Sequence, residues 1–292
     1  MGKMKRNHWV PQSYLRAFAA DPDRREKIWR FSKESGDPEL KPIENVAYRH
    51  YLYVPKDEDG RRDYAFEEQL SKLEQWFGED LWKLLLTENI SLAEGTVRKM
   101  ASLLAAVMYL RNPKTLDLSN TVHRQLVAFY ERLPELPGSF RQGGKTYELD
   151  TSDWEKFRKA DEEDLKRNWI SGVRQATWLA EFFMRMRWAV VLSDKPRFIT
   201  TDHPVTAIHP TLDFQGFANP QTMVIFPLSP HRLLIMDHRK EESPDQYYEA
   251  GDALPSWNTI LWRNAIEHMF CSRHPDEVLA EIDADAKRAG FA

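Results

Sequence analysis

The sequence predicts an α+β fold, mainly helical, with a small, mostly antiparallel sheet formed by N-terminal strands and residues about 188–239. Three observations carry this. Apolar residues recur at three- and four-residue spacing from Tyr64 onward, the period of a helix face. The stretch Pro196–Arg239 is rich in β-branched residues and is broken by prolines, the pattern of strands and turns. Lys27–Lys33 alternates, with Trp29 and Phe31 opposite Ile28, Arg30 and Ser32.

Taken in order, Gln12–Ala19 has helix-compatible composition, with Tyr14, Leu15 and Phe18 on one face. Pro11 suits a first helical position, where its missing donor costs nothing. Asp21-Pro22-Asp23 ends this helix. Lys27–Lys33 and Tyr51–Val54 read as short strands, the second closed by the turn-like Asp57-Glu58-Asp59-Gly60. Phe66, Leu70, Leu73, Phe77, Leu81 and Leu84 then predict helices from Tyr64 to about Leu133. Ser91 and Glu94 form a capping-box pattern ahead of a helix Ala93–Leu110. Pro134–Asp150, with two prolines and three glycines, reads as an exposed loop or connection. A long helical stretch is expected from Ser152 to about Arg187, and a strand over Trp188–Leu192 leads into the Pro196–Arg239 region. Helices over Trp257–Phe270 and about Glu277–Ala289 complete the chain.

Composition narrows the function classes. Of 292 residues, 42% are hydrophobic and 29% charged, and tryptophan occurs ten times, which excludes a largely disordered chain. Forty-one basic residues against forty-five acidic ones leave a net charge of −4, so no global field draws the molecule to nucleic acid or an acidic membrane. The single cysteine, Cys271, excludes an intrachain disulfide and a multi-thiolate zinc site and fits a reducing cytoplasm. Pro11, Gln12, Ser13 and Arg16 interrupt the apolar core that a secretion signal needs, so the N-terminus reads as mature protein. The longest apolar run, Met100–Leu110, falls short of the roughly 18 residues of a spanning helix.

Candidate chemistry centres on Thr200-Thr201-Asp202-His203-Pro204, an apolar strand running into a polar turn. Asp202 can serve there as a general base or metal ligand, or it can simply bond local backbone amides while Pro204 fixes the turn. His203, His209, His231 and His238 match no standard metal-ligand spacing. His268 and Cys271 are helix neighbours by spacing, and a lone cysteine there is more often an apolar filler. His8, just before a proline-started helix, sits where backbone donors and a titratable ring suit an anion such as phosphate, with Lys5 and Arg6 adding charge. The alternative is a basic tail anchored by Trp9. Glu67 and Glu74 lie two helical turns apart and share a face, and Arg111 ends the helix of the 100s. A glycine-rich phosphate loop, a Gly-x-Ser-x-Gly elbow and an HExxH motif are all missing from the sequence.

Three pieces in fixed order, His8-Trp9-Val10-Pro11-Gln12-Ser13-Tyr14-Leu15-Arg16-Ala17-Phe18, Phe198–Val205 and Phe226-Pro227-Leu228-Ser229-Pro230, resemble an uncharacterised, mostly bacterial family, domain of unknown function 4238. The resemblance implies one family-length domain over 1–292, with a helical part at about 64–187, and it supplies no activity. It puts weight on His8, Pro11, Tyr14, Asp202, Pro204 and Ser229, and further on Glu74, Arg111 and Asn258. Thr201 stands where the family usually has Ser, and His203 where it usually has Asn, so His203 is not expected to be an essential proton carrier.

Two functions from different classes follow. The first is a hydrolase acting on a phosphate-containing substrate, nuclease-like or nucleotide-directed. His8, Asp202 and Glu74 would be its catalytic groups, and Arg111, Ser229 and Asn258 would bind substrate. No metal ligand set is assigned, and a divalent ion enters only as something Asp202 could hold. The second is a non-catalytic protein-interaction module in which these residues are structural. A nucleic-acid binder without catalysis is disfavoured by the net charge, and no membrane partner is expected.

Overall fold

The computed structural model describes residues 6–211, 216–243, 245–250 and 257–288. Lys3 and Lys5 of the basic start, and Ala289 at the expected end of the last helix, lie outside the described residues. Strand β1 (Arg6–His8) leads into helix α1 (Gln12–Leu15), a 3-10 turn, and strands β2 (Lys27–Ser32), β3 (Pro38–Pro42) and β4 (Tyr48–His50). Helices α2 (Ala65–Glu74), α3 (Asp80–Thr87), α4 (Gly95–Leu110) and α5 (Pro113–Tyr130) follow, then strands β5 (Ser139–Gln142) and β6 (Lys145–Glu148). Helices α6 (Trp154–Arg158), α7 (Glu162–Arg174) and α8 (Thr177–Arg185) precede strands β7 (Arg187–Leu192), β8 (Thr200–Thr201), β9 (Thr206–Ile208), β10 (Met223–Ser229), β11 (Arg232–Asp237) and β12 (Asp245–Glu249). Helix α9 (Trp257–Asn264), strand β13 (His268–Cys271) and helix α10 (Pro275–Arg288) end the described chain.

The fold is a mixed α+β one, 42% helix and 22% strand, and its strands form four sheets of two, four, two and five strands. This corrects the expectation of one small sheet shared by the N-terminal strands and residues 188–239. The N-terminal strands β2 and β3 belong to a four-stranded antiparallel sheet, ordered β3-β2-β13-β8. The later strands form a five-stranded sheet, ordered β12-β7-β11-β10-β9, in which β12 alone runs parallel to its neighbour. Strand β13 causes the difference. Met269 and Phe270 continue the helical spacing of Ile260, Leu261 and Ala265, yet the Asp202 carboxylate accepts the amides of Ile266, Glu267 and His268. Amides held there cannot bond carbonyls four residues back, so the helix stops at Asn264 and the chain extends.

Other local differences have equally specific causes. The strand expected at Tyr51–Val54 lies earlier, at β4, because Tyr51 turns the chain at φ +57°. The long helix expected over Ser152–Arg187 is three helices, with Asp161 and Asp164 forming a capping box that starts α7. Glu94, rather than Ser91, caps α4 by accepting the Val97 amide at 2.7 Å. Pro134–Asp150 holds the β5–β6 hairpin, whose turn residues Gly143 and Gly144 take φ of +58° and +77°. Such a two-residue turn needs positive φ at both positions, which glycine adopts without strain.

One apolar core joins the helical region to the sheets: Tyr14, Phe18, Trp82, Leu104, Phe183, Trp188 and Phe226 all belong to it. A second cluster, with Phe31, Ile199, Ile225, Leu261, Met269 and Val278, fills the space between the four-stranded sheet, the five-stranded sheet and the C-terminal helices. At about 1.5–3 kcal/mol for each large side chain removed from water, these clusters are the main source of stability. The segment 200–208 crosses from one sheet to the other, since β8 pairs with β13 and β9 pairs with β10.

Candidate functional site

The three sequence motifs meet at one hydroxyl. Pro11 precedes α1 in an extended conformation, and the short helix turns Tyr14 inward to 1% exposure. The Tyr14 hydroxyl donates to the Pro227 carbonyl at 2.6 Å and accepts from Thr200 Oγ1 at 2.8 Å. Its ring stacks on Phe226 with 5.5 Å between centroids. Burial pushes the phenol above its ordinary value, so it stays neutral and remains a donor.

Beside this node lies Arg111, 1% exposed at the end of α4. Its Nε donates to the Trp9 carbonyl at 2.9 Å, Nη2 to the His8 carbonyl at 3.1 Å and Nη1 to Glu74 Oε1 at 2.8 Å. The Tyr53 hydroxyl donates in turn to the Arg111 carbonyl at 2.7 Å. A buried guanidinium is tolerated only when paired and hydrogen-bonded, and here one fork clamps two successive main-chain carbonyls and a carboxylate. The His8 ring is held on both sides: Nε2 donates to the Glu44 carbonyl at 3.1 Å, and Nδ1 accepts from the Gln12 amide at 3.3 Å. These partners fix the neutral tautomer. Burial also holds His8 below its ordinary value, against the opposing pull of the Glu44 carbonyl and of Glu74. Glu67, on the same face of α2 as Glu74, is pushed up by burial, opposed by a hydrogen bond from Asn7.

Asp202 joins this junction through its main chain. Its carbonyl accepts Trp9 Nε1 at 2.9 Å and Asn112 Nδ2 at 2.8 Å. Its carboxylate, on a residue 2% exposed, accepts the amides of Ile266, Glu267 and His268 at 2.7, 2.8 and 2.9 Å. Burial pushes this carboxyl up and the three amides pull it down. Both oxygens are engaged, and among the described residues no hydrogen bond joins them to His8.

Of the six expected site residues, His8, Glu74 and Arg111 therefore meet, with Asp202 tied in by its carbonyl. Ser229 and Asn258 lie elsewhere. Ser229 Oγ accepts the His231 amide at 3.2 Å within the β10–β11 turn. The Asn258 side chain accepts the Ile199 amide at 3.1 Å and donates to the Arg197 carbonyl at 2.8 Å, pinning α9 to the segment before β8. His203, whose ring nitrogens are closed to solvent, packs on Tyr109 with 5.4 Å between centroids, and burial with the Lys114 charge lowers it to about 4. Among the described residues no group of three or more His, Cys, Asp or Glu side chains could hold a metal ion. No helix among them is long and apolar enough to cross a membrane.

Sequence reasoning missed Asn112 and Tyr53. Asn112 accepts the Lys114 amide as the cap of α5 while its other end holds Asp202. Asn112-Pro113, a capping residue followed by a proline at the first helical position, was the signal available for it. Tyr53 carries no local pattern that distinguishes it from any core aromatic residue.

Fold and junction together define an α+β protein whose N-terminal motif is locked between the two larger sheets and the helical region. The chain belongs to a protein family of unknown function, DUF4238, whose model matches residues 6–280. No curated protein and no solved structure matches the chain.

Proposed function

We propose that the protein is a non-catalytic interaction module, in which His8, Glu74, Arg111, Asp202, Ser229 and Asn258 serve the architecture. One observation carries this reading: the guanidinium of Arg111 and the carboxylate of Asp202, the two charged groups best suited to handle a phosphate or a metal, are buried and already engaged by the protein itself. Groups in that state order the chain and have no capacity left for a substrate.

The second reading, a hydrolase acting on a phosphate-containing substrate, is favoured by one feature. His8 is neutral and feels the Glu74 carboxylate, and Glu74 keeps 27% exposure, so a base and a carboxylate reach the surface side of the junction together. An assay separates the two. Purified protein is incubated with phosphomonoester, phosphodiester and nucleotide substrates, with and without Mg²⁺ or Mn²⁺, beside His8→Asn and Glu74→Gln. The interaction reading expects no turnover above that of the variants, and a lowered melting temperature in both. Turnover that disappears in Glu74→Gln with melting unchanged overturns it in favour of the hydrolase.

A cytoplasmic setting suits Cys271, which is buried and whose thiol burial pushes up to about 12, so it is neither paired nor reactive. Recovery of the native protein outside the cytoplasmic fraction would contradict this placement.

A further inference from the structure

A cleft of about 450 Å³ opens at the free edge of the five-stranded sheet, between β9, the start of β10, the end of β11 and helix α9. Ile208, Met223 and Ile260 give it an apolar wall, and His209, Arg239 and Arg263 give it polar groups. This size and mixture are those of a small-molecule site, an apolar body with a few convergent polar groups.

Two observations define the ligand. The first is His209, a residue 6% exposed. Its Nδ1 is bonded by Thr211, through the hydroxyl at 2.8 Å and the amide at 3.3 Å, and its Nε2 is buried with no partner among the described residues. An unmet buried ring nitrogen is unfavourable, so a ligand group that meets it gains affinity. The second is charge. Asp237, which also lines the cleft, is neutralised by Arg187 at 2.9 and 2.6 Å, and Glu242 is met by Arg187 at 2.9 Å and Arg239 at 3.0 Å. Among the described residues Arg263 makes no ion pair, so of the guanidiniums Arg187, Arg239 and Arg263 it is the one that Asp237 and Glu242 leave unpaired. A guanidinium free in this way recognises a carboxylate or phosphate through its planar fork.

We propose that this cleft binds a small organic anion, an apolar or planar body carrying one phosphate or carboxylate group. The anionic group pairs with Arg263, the body lies on Ile208, Met223 and Ile260, and a polar atom of the ligand meets His209 Nε2. This site is separate from the motif junction and holds whichever function that junction serves.

The test uses the full chain and three matched probes, 2-naphthyl phosphate, 2-naphthoate and uncharged 2-naphthol, titrated by calorimetry. At least one of the two anions is expected to bind saturably, at least about tenfold more tightly than 2-naphthol; which of them binds identifies the anionic group. Arg263→Gln, at an exposed position where folding is not at risk, should weaken the binding anion about tenfold and leave 2-naphthol unchanged. His209→Phe, which fills the ring space without the nitrogen, should weaken it also, with the melting temperature reporting that the variant is folded. The proposal is overturned if neither anion binds, if 2-naphthol binds as well as they do, or if Arg263→Gln leaves the affinity unchanged.

Discussion

Replacing Asp202 by Asn changes one atom of a side chain that holds three backbone amides. The wild-type carboxylate accepts Ile266 on one oxygen and Glu267 and His268 on the other, at 2.7–2.9 Å. Asparagine has one acceptor oxygen, and its NH₂ must then face at least one of these N–H groups, donor against donor. Hydrogen bonds to a charged group contribute about 1.5–3 kcal/mol each, and an orphaned buried N–H costs about 1–3 kcal/mol. Because these overlap, the net loss is about 2–4 kcal/mol for the best orientation of the amide. At about 2–4 °C per kcal/mol for chains of 150–250 residues, the melting temperature should fall by about 5–15 °C. Circular dichroism melts with a parallel urea titration measure this, and amide hydrogen exchange at Ile266, Glu267 and His268 should accelerate more than exchange in the β10–β11 pair. A melting temperature within about 1 °C of wild type, with unchanged exchange at those three amides, would refute the view that Asp202 is the clamp that ends α9 and begins β13.

Two further outcomes follow from the same geometry. His203 is lowered from 6.5 to about 4 in the folded chain, so between those values the unfolded state binds the additional proton. Stability from this group is therefore full above about pH 6.5 and is lost as pH falls toward 4, and His203→Asn, which cannot titrate, should flatten the acid limb of a melting-temperature profile; an unchanged acid limb would show that His203 is not buried as described. Tyr14→Phe removes the hydroxyl shared by Thr200 and Pro227 while keeping the ring packing, and should cost about 1–3 kcal/mol in urea unfolding, with a loss under about 0.5 kcal/mol arguing that the three motifs are held together by packing alone.

The parts of the fold that were legible in the sequence are those fixed by local patterns. The spacing of Phe66, Leu70 and Phe77 and the β-branched run of β10 and β11 each reflect burial of one face, which a chain displays residue by residue. Gly143-Gly144 was equally local and could have been read as a hairpin turn. The partition of strands between sheets was not legible, because it depends on Asp202 reaching amides more than sixty positions away. The same holds for the junction. His8, Glu74 and Arg111 stand out in the sequence by position and by motif resemblance, and hydrogen bonds tie Arg111 to Glu74 and to the His8 carbonyl. What the sequence could not display is that Arg111 grips the His8 and Trp9 main chain and that Asp202 turns its carboxylate to residues 266–268, since both depend on side-chain direction.

The crossing of residues 200–208 between sheets also constrains how this chain can change in length. Thr201 is registered against Met269 in one sheet, and Thr206 against Ile225 in the other, with four residues between them. One residue added or removed among the four would have to be taken up within the turn, displacing Asp202 from its grip on Trp9, Asn112 and the 266–268 amides. The linker is thus a ruler set between two fixed ladders. Loops such as Gly143-Gly144, which no added Cβ would crowd, can absorb insertions, whereas a length change in this stretch acts directly on the Asp202 clamp.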